Sequence, residues 1–368
     1  MIDRDLTVGS TNITLQLDSD TTIEVAAGAS LTVEAQVTGS GSLIKTGNGE
    51  LTLDNSANGF ASSPDNTDGN DPETVYAFGL ELREGTLTLK GGSAVADTAA
   101  VVVSPGTTLN VKADETIGSL ETAGDHATTP GDVVLHSGHT LTLGVNGVST
   151  TYAGVISDND EGSPGSVIKD GDGTLTLTGG NTFSGGLTIQ AGTLDTTGGG
   201  TLADDVPVVV NADARYIVGT ADTIGDLTID AIGTGANAGT VDINADLTVR
   251  DASNAGSSGD TDTADSDAVA TLDNQGIINL AADLIIASGA SGTPDGKLNN
   301  DGLLIVSGDR TISLGTLIDE NGQGTIRVSD TDAGTASALT LAQTGISTFH
   351  GIFEGGSNDG TGNGTAQV

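Results

Sequence analysis

The fold class this sequence predicts is all-β: a solenoid of short strands stacked turn upon turn. Three observations predict it. The first is a phrase that keeps returning, a glycine, a short polar step and two leucines one residue apart. It reads Gly49-Glu50-Leu51-Thr52-Leu53, Gly85-Thr86-Leu87-Thr88-Leu89, Gly138-His139-Thr140-Leu141-Thr142-Leu143 and Gly173-Thr174-Leu175-Thr176-Leu177. Looser copies start at Gly28, Gly106 and Gly192. Gly28 to Gly49 and Gly85 to Gly106 are each 21 residues, and Gly173 to Gly192 is 19. The remaining gaps of 36, 32 and 35 read as one turn plus an insertion, or as two short turns. Such a unit, with apolar residues at alternate positions, cannot bury its own apolar face and must stack on its neighbours.

The second observation is a longer repeat. Gly79-Leu80-Glu81-Leu82-Arg83-Glu84-Gly85-Thr86-Leu87 returns 107 residues later as Gly186-Leu187-Thr188-Ile189-Gln190-Ala191-Gly192-Thr193-Leu194. Glu115-Thr116-Ile117-Gly118-Ser119-Leu120 returns at the same offset as Asp222-Thr223-Ile224-Gly225-Asp226-Leu227. Near the C-terminus, Leu272-Asp273-Asn274-Gln275-Gly276-Ile277 matches Leu298-Asn299-Asn300-Asp301-Gly302-Leu303, 26 residues on. The third observation is negative: no segment carries a helical period.

The elements follow in order. Residues 13–17 and 31–35 alternate apolar and polar side chains over a strand's length. Residues 50–53, 79–82 and 86–90 hold the leucines of the phrase, and 100–103, 108–111, 132–135 and 140–143 repeat the alternation with valine and leucine. Strands follow at 174–178, 187–190, 206–210 and 227–229. The last third adds 240–243, 247–250, 277–280, 284–287, 303–306 and 325–328. The repeats are strongest over 37–229 and degenerate over 230–344. All of this reads as one elongated domain, residues 1–368. Polar stretches at about 62–73, 157–163 and 251–267 interrupt the rhythm as loops thrown out from the turns. They are either solvated spacers or the places where a rigid scaffold carries its binding residues.

Composition narrows the function. Eleven Lys and Arg stand against 50 Asp and Glu, a formal charge of −39. That surface repels nucleic acid and anionic membranes and attracts cations. Eight aromatics and no Trp suit a narrow core of stacked Leu, Val, Ile and Ala. Without cysteine there are no disulfides, thiolate metal sites or cysteine nucleophiles. No run approaches the roughly 20 apolar residues of a membrane helix. The opening Met1-Ile2-Asp3-Arg4-Asp5 lacks a signal peptide's basic and then apolar stretch, so an exported protein with this opening is expected to be a fragment.

Chemistry-bearing residues are few. Of the histidines, His136 and His139 are close neighbours, while His126 and His350 stand apart, and surface turns account for all four. The acidic loops are the better prospect, because calcium takes six to eight flexible oxygens. Asp260, Asp262, Asp265 and Asp267 are the calcium candidates. Asp65, Asp68, Asp71 and Glu73 form a second acidic group, and Asp158, Asp160 and Glu161 a third. None has EF-hand spacing. Asp170-Gly171-Asp172-Gly173 looks like a metal or phosphate turn, yet Thr46-Gly47-Asn48-Gly49 fills the same place without carboxylates, so glycine backbone geometry explains both. Phe60 and Phe183, each two residues after an asparagine, read as core. Asn274 and Asn300 hold equivalent positions and suit a stacked amide ladder.

Several of these stretches resemble the passenger-associated repeats of bacterial autotransporters. The fullest copy runs from Thr151-Tyr152-Ala153-Gly154-Val155-Ile156 into Val167-Ile168-Lys169-Asp170-Gly171-Asp172-Gly173 and on to Gly192-Thr193-Leu194. A second begins Gly41-Ser42-Leu43-Ile44-Lys45-Thr46-Gly47 and reaches Asn58-Gly59-Phe60, and a third starts at Ser347-Thr348-Phe349. The resemblance implies a right-handed parallel β-helix on the surface of a Gram-negative cell. It would be exported through the outer membrane by a C-terminal β-barrel, with leader and barrel outside this chain. It implies a non-enzymatic adhesin or stalk serving adhesion, autoaggregation or biofilm formation. The partner would be a host or neighbouring-cell ligand or a second copy, with calcium as a possible cofactor and no direct membrane insertion. A structural filament or surface-layer subunit is the alternative. A polysaccharide lyase or hydrolase fits less well, for want of aromatic platforms.

Overall fold

A computed structural model of the chain describes residues 1–9, 13–60, 78–123, 130–159, 162–230, 238–250, 271–287, 297–307, 310–314, 316–318, 324–329, 338–343, 352–356 and 365–367. Among these residues every regular element is a strand, and the strands pair in parallel, in the manner of a parallel β-helix. They fall into two units, Met1–Gly185 and Gly186–Val368.

In the first unit the leucine phrase builds the longest sheet. It stacks Leu6–Val8, Ser30–Val33, Glu50–Leu53, Thr86–Leu89, Thr108–Val111, Asp132–Leu135 and Ile156–Asp158. In register, Leu31, Leu51, Leu87, Leu109, Val133 and Ile156 form one inward rank. Val33, Leu53, Leu89, Val111 and Leu135 form the next. All eleven are buried. Each contributes about 1.5–3 kcal/mol relative to exposure. Between them the outward rank is Thr32, Thr52, Thr88 and Asn110. A second sheet stacks Thr21–Glu24, Leu43–Thr46, Phe78–Leu82, Ala100–Val103 and Ser119–Thr122. The third side holds Thr14–Leu17, Gln36–Gly39 and Gly59–Phe60, and later Glu115–Ile117, Thr140–Leu143 and Ser166–Lys169.

Each full turn therefore carries up to three strands, about twice what alternating leucines reveal. This corrects the reading of the long gaps. The 36-residue gap is one turn plus an insertion, because Leu51 and Leu87 are direct partners. The 32-residue gap is neither an insertion nor two turns. Thr108–Val111 lies in the first sheet, but Thr140–Leu143 pairs with Glu115–Ile117 in another. The next copy moves again, since Thr174–Leu177 pairs with Thr150–Tyr152. Glycine followed by Leu-x-Leu thus specifies a corner and a strand, and any side of the solenoid accepts it.

The second unit keeps three sides. One stacks Leu187–Ile189, Val208–Val210, Leu227–Ile229, Thr271–Asn274, Lys297–Asn300 and Thr316–Ile318. Another stacks Asp222–Ile224, Leu247–Arg250, Leu284–Ala287, Arg310–Leu314, Ala338–Gln343 and Thr365–Gln367. The third runs from Thr193–Asp195 and Arg215–Val218 through Thr240–Ile243, Ile277–Leu280, Leu303–Ser307 and Thr325–Ser329 to Ile352–Gly356. The 26-residue echo is one turn, with Leu272 on Leu298 and Asn274 on Asn300. Asn274 Nδ2 donates to Asn300 Oδ1 at 2.7 Å, and both residues are fully buried. The expected amide ladder is there, with Asn274 Oδ1 also accepting from Gly276 N.

Candidate functional site

Polar groups inside the stack come first, because they show how much of the chain's chemistry the fold consumes. Leu43–Thr46 and Ser166–Lys169 invert the expected pattern: Ile44 and Ile168 are partly exposed, while Lys45 and Lys169 are buried to within 1 %. Lys45 Nζ donates to Gly47 O at 2.6 Å and to Thr46 O and Glu84 O at 3.0 Å. Lys169 Nζ donates to Gly171 O at 2.7 Å and Asp170 O at 2.9 Å. Each ammonium thus pins the corner that follows its own strand, and Lys45 also holds the corner of the next turn. Burial pushes both lysines below the usual range, Lys169 to about 8, against the opposing pull of nearby carboxylates. The corners need glycine as expected. Gly47 and Gly171 sit at φ +74° and +72°. A Cβ there would meet Val25 O at 2.2 Å and Gly144 O at 2.1 Å. The metal-like turn of Asp170 to Gly173 is therefore a lysine-anchored corner.

Glu115 supplies the inverse device. Its buried carboxylate accepts from Ser93 N at 3.1 Å, Ala94 N at 2.9 Å and Val95 N at 3.1 Å. Gly92 and Ser93, both at positive φ, turn these N–H groups inward. At the 107-residue offset, Asp222 does related work, accepting from Leu202 N and Thr223 N, each at 2.9 Å. Burial, with the charge of Asp204 adding to it, raises the Asp222 carboxyl to about 6 against hydrogen bonds that pull it down. Because the native value lies above the ordinary one of 3.8, the protonated form favours folding. That contribution is complete below about pH 4 and is lost as pH rises through 6. Wild type should therefore lose roughly 2–3 kcal/mol relative to Asp222→Asn between pH 4 and 6.5. Paired thermal melts across that window check this, and a constant difference would refute it.

Among the described residues, many outward carboxylates are engaged as well. In the first unit Asp5 accepts from Ser30 N, Asp20 from Ser42 N, Asp114 from Thr140 N and Asp132 from Val155 N. In the second, Asp226 accepts from Thr271 N, Asp246 from Asp283 N and Asp283 from Thr311 N. In every case a carboxylate on one turn caps a backbone N–H on a later one. Asp158, from the third acidic group, accepts from Gly165 N with Oδ1 and from Ser184 N and Oγ with Oδ2. It ties its loop down and has both oxygens occupied. Asn58 and Asn181 act similarly two residues before Phe60 and Phe183, accepting from Val37 N and Ile156 N. Both phenylalanines are fully buried, as expected of core.

The two described histidines, His136 and His139, do not converge. His136 Nε2 lies 3.2 Å from Asn110 Oδ1, while His139 Nδ1 lies 3.2 Å from Asp114 Oδ1. His136 ends an outer ladder that sequence reading missed. In it Thr88 Oγ1 donates to Glu50 at 2.7 Å and Asn110 Nδ2 donates to Thr88 Oγ1 at 3.3 Å. Its members are 22 to 38 residues apart, so only the register of the turns reveals it. Among the described residues no three of His, Asp and Glu gather to hold a metal. The calcium candidates Asp260, Asp262, Asp265 and Asp267 lie outside the described residues, as do Asp65, Asp68, Asp71, Glu73, Asp160, Glu161, His126 and His350.

Residues 43–62 and 167–195 match the family model of the passenger-associated-transport repeat. Each match opens in a strand that carries a buried lysine and continues through its glycine corner. Such repeats are found in autotransporter passenger domains, and the two matches, set on a stack of parallel strands, support an autotransporter passenger. Such repeats imply a protein exported to the cell surface. A comparison with curated proteins found no match to the chain.

Proposed function

We propose that this passenger is a non-enzymatic surface stalk that mediates adhesion or self-association. The observation that carries the reading is the fate of its reactive groups. The buried lysines, Glu115, Asp158 and the corner aspartates are each tied to backbone that holds the stack. What remains to meet a partner is the repeating outer faces and the loops. Weak contacts repeated from turn to turn add through multivalency. The partner is a ligand on a host or neighbouring cell, or a second copy, and the charge of −39 disfavours nucleic acid and anionic membrane. Calcium held in the 251–267 loop would strengthen such contacts by neutralising carboxylates.

Display of the whole chain on a non-aggregating bacterium tests this. Displaying cells should clump and settle faster than bare cells, or bind host-cell layers better, and calcium and chelator arms show whether cations assist. Cells that settle and bind as bare cells do would sink the adhesive reading. Release of reducing ends from a polysaccharide panel would sink the non-enzymatic one.

A further inference from the structure

In the second unit the sheet from Thr193–Asp195 to Ile352–Gly356 turns an unusual face outward. Its inward ranks are ordinary core: Tyr216, Val241, Ile278, Leu304 and Ile326 stack in register and are fully buried. Outward stand Ile217, Ile277, Leu303 and Ile305, each partly exposed, and Ile352, 58 % exposed. The corresponding positions of the long sheet in the first unit hold Thr32, Thr52, Thr88, Asn110, Val134 and Ser157, with one aliphatic among six. Branched aliphatics facing water on the adjacent turns of Ile277 and of Leu303 and Ile305 are the composition of a covered surface.

Charge selects what covers it. The partly or fully exposed charges among the described side chains of this sheet are Asp195, Arg215 and Arg327, and Asp242 lies buried beside Arg215. Together the four sum to zero in a chain of −39. Two copies meeting through their acidic sides repel, and through this face they do not. The face is also self-complementary. One outward rank reads Ile217, Asp242, Asn279, Ile305, Arg327 in successive turns, and its neighbour reads Arg215, Thr240, Ile277, Leu303, Thr325. A two-fold axis along the strands, midway between Asn279 and Ile305, reverses the order of turns in the second copy. Ile277 then faces the second copy's Leu303 and Asn279 faces its Ile305, while Arg327 is placed over the turn that holds Asp242. Each contact occurs twice, with the Ile277–Leu303 pairs beside the axis, the recurrence an isologous dimer needs. Asp242 is held within its own copy, by Arg215 and by Asn279 Nδ2.

We propose that this face is a homotypic interface, through which two copies pair side by side and antiparallel. The proposal rests on the self-association reading above and names its surface. The test is sedimentation of the full chain over a concentration series, beside Leu303→Thr/Ile305→Thr, which installs the threonine used outward elsewhere. The double substitution should weaken dimerisation at least ~10-fold, as loss of central anchors does, with the melting curve unchanged. A cross-link gives an independent readout, since the chain has no cysteine. Thr240→Cys in one copy would face Thr325→Cys in the other. Like residues would lie three turns apart, about 14 Å, beyond disulfide reach. Oxidation should link the mixture and neither variant alone, which decides the matter even if the threonine variant melts early. Self-association that survives the double substitution, with no selective cross-link, overturns this face and leaves the broader reading standing. A wild-type chain that stays monomeric overturns homotypic pairing altogether.

Discussion

Glu115→Ala should lower stability by about 3–5 kcal/mol, one of the two largest effects expected of a single side chain in this protein. The substitution leaves three backbone N–H groups, those of Ser93, Ala94 and Val95, without their acceptor in a buried corner. Each orphaned donor costs about 1–3 kcal/mol. Relief of the desolvation that raises the Glu115 carboxyl, and water entering the vacated space, offset part of the total. Glu115→Gln separates hydrogen bonding from volume. Its amide oxygen can serve Ser93 and Ala94, but its NH₂ then meets the Val95 donor, so the loss should be about 1–2 kcal/mol. Urea titrations of the two variants rank them, and equal stability of wild type and Ala would show that the carboxylate holds nothing.

The same residue shows how far the sequence was legible. Glu115 and Asp222 came forward as ends of a 107-residue repeat, visible as letters, yet nothing in the letters said that each would turn inward as an acceptor. The repeat period, the parallel stack and the buried phenylalanines follow from alternation and spacing, because a rung cannot bury its apolar face otherwise. Strands such as Leu43–Thr46 and Ser166–Lys169 were missed for a physical reason. Their register places Lys inward and Ile outward, opposite to hydropathy, because two carbonyl-rich corners need a donor more than the core needs another methyl group. Strands of three residues, such as Glu115–Ile117 and Thr193–Asp195, are too short to show a period at all.

Charge misleads in a similar way. Fifty acidic residues suggest a solvated or cation-binding surface. In the described residues many of them are acceptors for backbone N–H groups on adjacent turns, as Asp114 is for Thr140 and Asp246 for Asp283. A β-helix has corners at every turn, and a short carboxylate side chain caps a corner N–H as it caps a helix. Part of the acidity is thus the cost of having so many corners. The outward placement of Ile277, Leu303 and Ile305 was hidden because alternation, read one strand at a time, cannot say which isoleucine faces in.

Lys45→Met is the second large effect, at about 2–4 kcal/mol. Methionine keeps most of the buried hydrocarbon, so the loss isolates the ammonium. Thr46 O, Gly47 O and Glu84 O all lose a charged donor, and the last of these belongs to the following turn. Hydrogen bonds to charged groups contribute about 1.5–3 kcal/mol each, and relief of the lysine's own desolvation offsets part of that sum. The pH dependence separates a buried ammonium from mere packing, and Lys169 shows it best. Its native value of about 8 lies below the ordinary 10.5, so between those limits the unfolded chain holds more protons than the native one. Wild type should therefore gain stability as pH rises from 8 to 10.5, while Lys169→Met lacks that increment. Denaturation midpoints of the pair across the window measure it. Parallel pH profiles would mean that the Lys169 ammonium titrates as it does in water and that the corner is held by glycine geometry alone.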